Sequence, residues 1–406
     1  MNRDDALTLL TPETLALLNQ FAELGSGRDV LSAVSRLRRA GATPKQSAVV
    51  MSQLKLRRRA RTKFGEFAQR MLLTDDGLAQ ATRLEVAAHH AERFRAAGCT
   101  QVADLGCGIG ADAMAFASLG FELLAVEADE VTAALATHNL SPFANVRVEQ
   151  ARAEDLDLTG FDGVYLDPAR RTKREGATES GDSIRLNGPA QWQPSLDFAF
   201  GLANGERAVG VKLGPALAHD LIPDAAEAQW VSVGGELVEC GLWFGPAARP
   251  GIRRSALLIT AQATNEITSP RGIDDADADA PVGELGAWLH EPDPALIRGR
   301  FIGQLAAMID GRMISPGIAW ITTDDEAATP FAKSFRVVES FKLDVTTLKR
   351  ELQRREIGTL EIKVRGVDID PQEFRRKLQL RGDVKATLIC TRLAERRVAI
   401  LAQRAE

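Results

Sequence analysis

The chain has 406 residues, 45% of them hydrophobic and 26% charged, with a formal net charge of -5; this is the make-up of two or three globular domains and excludes a low-complexity or collagen-like chain. No run of about 18 apolar residues occurs, and the opening Met1-Asn-Arg-Asp-Asp lacks a basic region followed by an apolar stretch, so no membrane span and no export are expected, and the expected location is cytoplasmic. Four cysteines, Cys99, Cys107, Cys240 and Cys390, form no C-x-x-C pair, which fits reduced thiols and argues against a zinc site.

Residues 1–75 read as helical: Leu7, Leu9, Leu10, Leu15, Leu18, Phe21, Ala22 and Leu24 recur at helix-like intervals, with Thr11-Pro12-Glu13 as a start and Gly25-Ser-Gly27 as a stop. A further helix follows Thr43-Pro44 and runs into a basic cluster, in which Lys55, Arg57, Arg58, Arg59, Arg61 and Lys63 make six of nine residues. Residues 78–97 read as one amphipathic helix ending at Gly98.

Residues 102–112, Val-Ala-Asp-Leu-Gly-Cys-Gly-Ile-Gly-Ala-Asp, read as a strand entering a glycine turn, with a helix opening at about Asp112. Gly106, Gly108 and Gly110 permit positive φ and close approach of a ligand, and the helix start offers free N–H groups. The spacing Gly106-x-Gly108-x-x-Ala111 also satisfies the dinucleotide fingerprint, with Glu127 about 20 residues on as the ribose acid. Asp104 weighs against that reading. A carboxylate directly before the turn repels a pyrophosphate and attracts a ligand with a cationic end, such as the ammonium and sulfonium groups of S-adenosylmethionine.

Strands at 121–126, 146–149, 163–166 and 208–213 then alternate with helices at 131–138 and 196–202, the pattern of a mostly parallel sheet covered on both faces. The run Gly163-Val-Tyr-Leu-Asp-Pro-Ala-Arg-Arg171 ends in Asp167-Pro168, at the rim where such sheets bind ligands. Proline lacks an N–H, so the Asp167 carboxylate and the Pro168 carbonyl remain as acceptors facing the cleft. Two strand-like runs, 229–244 and 254–260, are joined without a helix; they predict a terminal hairpin, where a dinucleotide fold has another crossover.

Residues 265–281 are acidic and rich in Pro, Gly and Asp, as in a linker or exposed loop. Beyond them an α+β domain is expected, with strands at 318–322, 335–338, 359–364, 386–391 and 397–402 and helices at about 294–310, 344–354 and 371–379. Charge is uneven: residues 331–406 hold 18 Lys plus Arg against 11 Asp plus Glu, whereas 264–330 hold 4 against 12. Such asymmetry can build a phosphate-facing surface on an acidic protein, or it can be a solvated face.

Through Asp104-Leu-Gly-Cys-Gly-Ile-Gly110, Ala125-Val-Glu-Ala-Asp129, Asp167-Pro-Ala-Arg170, the stretch Leu78-Ala-Gln-Ala-Thr82 through His90, Leu289-His-Glu-Pro-Asp293 and the basic tail from Phe331, the chain resembles the class I S-adenosylmethionine-dependent methyltransferases that carry a C-terminal THUMP-like domain. The resemblance implies an α/β, Rossmann-like methyltransferase sheet with a terminal hairpin at 76–264. A helical domain at 1–75 would precede it, and the linker at 265–281 would lead to an α+β THUMP-like domain at 282–406.

It also implies roles. Asp104 binds the methionine ammonium, Gly106, Gly108 and Gly110 let the amino-acid part lie on backbone, and Glu127 takes the ribose hydroxyls. Where relatives keep an adenine-binding acid this chain has Arg152, which makes Glu154 the candidate. Gln80 and Thr82 either cover the cofactor carboxylate or pack the helix, and Asp129 is a further site acid or a helix cap. Asp167 and Pro168 are the catalytic pair, each accepting one N–H of an exocyclic amine. Arg170 and Arg171 bind substrate, with Lys173 and Arg174 beside them, by gripping phosphates or stacking a base, a task Trp192 could share. Carbon methylation through a cysteine is disfavoured, because Gly214-Pro215 follows the 208–213 strand. The expected activity is methylation of an RNA base at an exocyclic or ring nitrogen, without metal. The alternatives are a methyltransferase acting on a small molecule or protein, and a non-catalytic cofactor-binding RNA scaffold.

Overall fold

The computed structural model describes residues 1–22, 30–168, 171–173, 183–185, 192–275 and 279–405. The chain divides into two compact units, Met1–Leu213 with Gly241–Pro250, and Gly214–Cys240 with Gly251–Glu406. The N-terminal helices and the parallel strands, expected as separate domains, thus share one unit.

In the first unit, α1 (Arg3–Leu9), α2 (Pro12–Gln20), α3 (Val30–Arg39) and α4 (Pro44–Phe64) form the helical layer. Thr43 and Gln46 close a reciprocal capping box at the start of α4. Leu9, Leu18, Val49, Val50 and Leu54 bury together. The segment 71–73 that follows is buried yet belongs to no helix or strand, so its backbone needs other partners. Side chains supply them: Gln53 pairs with both N–H and C=O of Leu73 (2.9 and 2.7 Å), Asn139 with both of Leu72 (2.7 and 3.0 Å), and Arg57 donates to the Met71 carbonyl (2.8 Å).

The helix expected over 78–97 is two, α5 (Asp75–Gln80) and α6 (Leu84–Ala96). Ala81 is extended (φ -57°, ψ 137°), and the Lys63 ammonium takes up the carbonyls of Leu78, Ala79 and Ala81 (2.9, 3.0 and 2.7 Å) that the break releases. The break turns Thr82 inward.

Next come β1 (Gln101–Leu105), α7 (Ala111–Ser118), β2 (Glu122–Glu127), α8 (Glu130–Leu140), β3 (Val146–Gln150), β4 (Gly163–Leu166), the short pair β5 (Arg171–Lys173) and β6 (Ser183–Arg185), α9 (Leu196–Gly201) and β7 (Ala208–Leu213). Five of these strands run parallel in the order β7-β4-β1-β2-β3. β1 sits where the winding direction reverses, the point at which such sheets open a crevice beyond their carboxyl ends. Under the sheet Phe94 meets Phe116 edge-on at 5.2 Å and Trp243 at 6.3 Å. Gly163 and Gly210 make room for those rings, since a Cβ on either would lie 2.7 Å from Phe94 or Trp243.

β8 (Glu227–Val233) and β9 (Glu236–Phe244) are joined by Gly234 and Gly235 at φ 60° and 85°, the geometry of a two-residue hairpin turn. The terminal hairpin therefore lies inside the run 229–244. β10 (Arg254–Ile259), expected as the second arm, pairs parallel with β8, and β11 (Thr264–Ser269) pairs antiparallel with β10. Residues 265–269 are thus an edge strand and not the start of a linker; Ile267 and Ser269 alternate inward, a period of two that the flanking acidic residues obscure.

The second unit continues with β12 (Trp288–Pro292), α10 (Pro294–Arg298), α11 (Ile302–Met308), β13 (Arg312–Met313), β14 (Ile321–Thr323), β15 (Ala332–Lys342), α12 (Val345–Arg354), β16 (Ile357–Val364), α13 (Pro371–Leu378), β17 (Val384–Leu393) and β18 (Arg396–Arg404). Seven strands order as β13-β14-β12-β15-β18-β17-β16. Leu348, Leu352, Phe374 and Leu378 cover one face against Leu388 and Leu401; Leu289, Trp320 and Phe335 cover the other against Ile389 and Ile400. The single helix expected at 294–310 is broken after Gly299, with Arg300 at φ 55°. The motif 289–293 proves to be structural: buried His290, held below its usual pKa by burial, lies between Ser334 Oγ (2.9 Å) and Thr323 Oγ1 (3.0 Å), and Asp293 caps α10. Among the described residues no helix is long and apolar enough to cross a membrane.

Candidate functional site

A cavity of about 450 Å³ opens in the first unit, lined by Asp104, Gly106, Gly108, Glu127, Glu154 and Asp167 from the strand ends and by Asp76, Gly77, Gln80 and Thr82 from the opposite wall. Asp104, Gly106, Gly108, Glu127, Glu154 and Asp167, together with Gln80, Thr82 and Asp129, were all singled out from sequence and share one lining.

The glycine turn is tied to β2. Gly106 and Cys107 N–H groups both donate to the Val126 carbonyl at 2.9 Å. Glu127 accepts from Gly108 N–H through Oε2 (3.1 Å) and from Asp129 N–H through Oε1 (2.8 Å). Burial raises the Glu127 pKa, and those two N–H bonds oppose the shift. Each oxygen keeps a further lone pair, so the clamped carboxylate can still receive a diol. Gly106, Gly108 and Gly110 stand at φ 90°, 57° and 89°. Gly110 is outside the lining; it caps α7, with Leu140 behind it. Asn139 also donates to the Ile109 carbonyl at 2.9 Å, so α8 pins the turn. Asp129 takes the cap role, accepting from Thr132 N–H at 3.0 Å.

Asp104 is 1% exposed, and among the described residues its Oδ2 has no hydrogen-bond partner. Burial, then repulsion from Asp112, Asp167 and Glu127, raises its pKa well above the ordinary carboxylate range, while Lys212 pulls the other way. A buried carboxylate oxygen lacking a donor is costly unless something cationic completes it. The methionine ammonium of S-adenosylmethionine supplies both donor and charge, so these residues fit that cofactor; a pyrophosphate would add to the repulsion.

Behind the wall runs a hydrogen-bonded network that the sequence reading did not assemble. Thr82 donates to Asp112 Oδ2 (2.6 Å), and His90 Nδ1 lies 2.8 Å from Asp112 Oδ1 and 2.9 Å from the Tyr165 hydroxyl. Lys212 Nζ donates to Thr82 Oγ1 (2.9 Å) and to Asp167 Oδ2. Burial alone would raise the Asp112 pKa, but the bonds from His90 and Thr82, with the nearby Lys212 charge, hold it below the usual value. The available signals were an acid in the first turn after the glycines and a lysine near the end of β7. Lys212 is not solvated, its side chain being 12% exposed.

Of the other expected residues, Pro168 is buried and outside the cavity lining. Arg152 and Glu154 both line the cavity, 3.6 Å apart as an ion pair. Trp192 precedes Gln193 and Pro194, which line it too. Arg170 and Arg174 lie outside the described residues, and so do the side chains of Arg171 and Lys173 on β5. The basic cluster splits: Arg57 is 6% exposed, with its pKa lowered by burial to about 10, and Lys63 caps α5, so both serve the fold. Lys55, Arg58, Arg59 and Arg61 face outward, Arg59 against Asp75 (2.6 Å) and Arg61 against Glu66 (3.5 Å). Among the described residues no group of three His, Cys, Asp or Glu is placed to hold a metal.

Residues 332–404 match the family described as THUMP domain-like, and 2–60 match a family described as a domain of unknown function. A crystal structure from Porphyromonas gingivalis W83, of a protein provisionally named a methyltransferase, superposes with a TM-score of 0.77 at 21% identity over 97% of this chain and 98% of that one, and shows the same fold. In Mycobacterium tuberculosis, strains CDC 1551 and H37Rv each have a protein named an uncharacterized S-adenosylmethionine-dependent methyltransferase, 31% identical over 83% of this chain and 90% of the relative. With that identity over most of both chains, and with Asp104, Glu127 and the glycine turn set around one cavity, the chain belongs to the S-adenosylmethionine-dependent methyltransferases.

Proposed function

We propose that the enzyme methylates a nitrogen of an RNA base, in the cytoplasm, with Asp167 as the group that receives the acceptor. The observation that carries this reading is the placement of Asp167: its side chain is one-third exposed on the cavity rim, beside the glycine turn and fixed by Lys212.

S-adenosylmethionine supplies an electrophilic methyl on a sulfonium. Asp104 holds the ammonium end, Glu127 the ribose and Glu154 the adenine. Asp167 accepts an N–H of the incoming nitrogen and keeps its lone pair aimed along the line of attack, so the gain is chiefly one of orientation. Asp167 or water takes the proton that the methylated nitrogen sheds.

The choice of RNA is supported by the match to the THUMP-like family and by charge. In the C-terminal tail Arg350, Arg354, Arg355, Lys363 and Lys377 meet carboxylates, while Arg336, Arg375, Arg381, Lys385 and Arg396 are exposed; such a set can follow a phosphate backbone. Mass spectrometry of RNA nucleosides from cells with and without the protein tests the proposal. One methylated nucleoside should disappear with the gene, and identical nucleoside profiles would refute it.

A further inference from the structure

Lys212 sits on β7, two strands from Asp104 on β1, with Asp167 at the end of the intervening β4. Its ammonium donates to Asp167 Oδ2 and Thr82 Oγ1, and the Thr82 hydroxyl passes the chain on to Asp112 Oδ2. The charged and titratable groups around Asp104 are Asp112 on α7, which is bonded to His90 of α6, Asp167 after β4, Glu127 on β2, Cys107 in the turn, and Lys212. Among the described residues Asp104 therefore feels three other carboxylates and one ammonium. Because that ammonium is nearly buried, water screens little of its field.

We propose that Lys212 is a positioning residue for both substrates of the reaction: it holds Asp167 on the acceptor side and, from behind the cavity wall, balances the charge on Asp104 so that the cofactor's ammonium meets a carboxylate. The inference rests on the methyltransferase reading of the cavity and adds that cofactor affinity is set in part from the acceptor side. Cofactor binding favours ionised Asp104, so affinity rises with pH as Asp104 loses its proton. Without Lys212 that rise moves to higher pH. Above it the variant binds as well as wild type or better, because a cation that repels the ligand's ammonium is gone. A merely structural lysine would instead weaken binding by one factor at every pH.

The test is calorimetric titration of the full chain with S-adenosylhomocysteine, which keeps the ammonium and has no methyl to transfer, from about pH 5.5 to 9. For Lys212→Met the expected result is a rise displaced upward by about one pH unit, so that binding is about tenfold weaker at the acid end and equal or tighter at the alkaline end. Lys212→Arg should follow wild type, and Asp167→Asn, which removes a like charge, should move the rise downward. A Lys212→Met curve that is uniformly weaker, or that superimposes on wild type, overturns the inference while the methyltransferase reading stands. Wild-type protein that bound no ligand at any pH would bring down both.

Discussion

Gly106 and Asp167 meet backbone to side-chain position: a Cβ placed on Gly106 would lie 3.3 Å from the Asp167 carbonyl oxygen. The turn proposed to cradle the cofactor and the strand end proposed to receive the acceptor are thus packed directly on each other, and an error in one displaces the other. Gly106 also stands at φ 90°, which L side chains resist. Gly106→Ala should cost about 1–3 kcal/mol of stability and weaken cofactor binding and turnover together. Denaturation and ligand titration of the variant check this; loss of turnover with cofactor affinity intact would mean that the contact does not couple the two sides.

Asp104 gives a prediction with a pH sign. Its folded pKa is raised, first by burial, so the stability linked to its proton is present below the unfolded value of about 4 and is lost as pH rises through the folded value. Asp104→Asn removes that liability. The ligand-free variant should therefore match wild type near pH 4 and melt a few degrees higher at pH 8, while its gain in melting temperature on adding S-adenosylmethionine largely vanishes. Thermal melts across pH, with and without ligand, decide it. Equal melting temperatures at pH 8 would contradict the strained-carboxylate account.

The two basic faces of α4 should separate in experiment. Lys55→Gln with Arg58→Gln should weaken RNA binding and flatten the slope of log affinity against log salt by about one to two, leaving stability unchanged. Arg57→Met should do the reverse, because the Arg57 Nε bond to the Met71 carbonyl holds the buried segment 71–73; its loss costs about 1–3 kcal/mol. Salt-dependent binding and denaturation curves read both effects. An unchanged salt slope in the double variant would make the outer face a solvated one.

What was legible in the sequence was whatever a local pattern encodes. Gly106, Gly108 and Gly110 announce a turn because positive φ is a property of single residues, and Asp104 and Asp167 announce acceptors on the cavity lining because they close apolar strands, whereas Pro168 lies outside it. Arg57 could not be told from its outward-facing neighbours for the same reason: charge is visible in sequence, but its burial against the Met71 carbonyl depends on a residue 14 positions away. His90, Asp112 and Lys212 were out of reach as a set, since their hydrogen bonds span 22 to 132 positions. The break between α5 and α6 brings Thr82 into that network, a long-range contact that a periodicity argument over 78–97 cannot contain. The edge strand at 264–269 was hidden by acidic neighbours that composition assigns to a loop.

The central claim is that Asp167 receives a base nitrogen of RNA, and single-turnover methyl transfer from labelled S-adenosylmethionine to RNA from cells lacking the protein tests it most directly. Wild type should place label on a nitrogen of one base. Asp167→Ala should lower that rate by at least about 100-fold with cofactor affinity within a few-fold at alkaline pH, where Asp104 is ionised in both proteins, because the hydrogen bonds it removes act on the acceptor in the transition state. Label appearing only in protein or small molecules, or an Asp167→Ala variant that transfers methyl to RNA at the wild-type rate, would contradict the account.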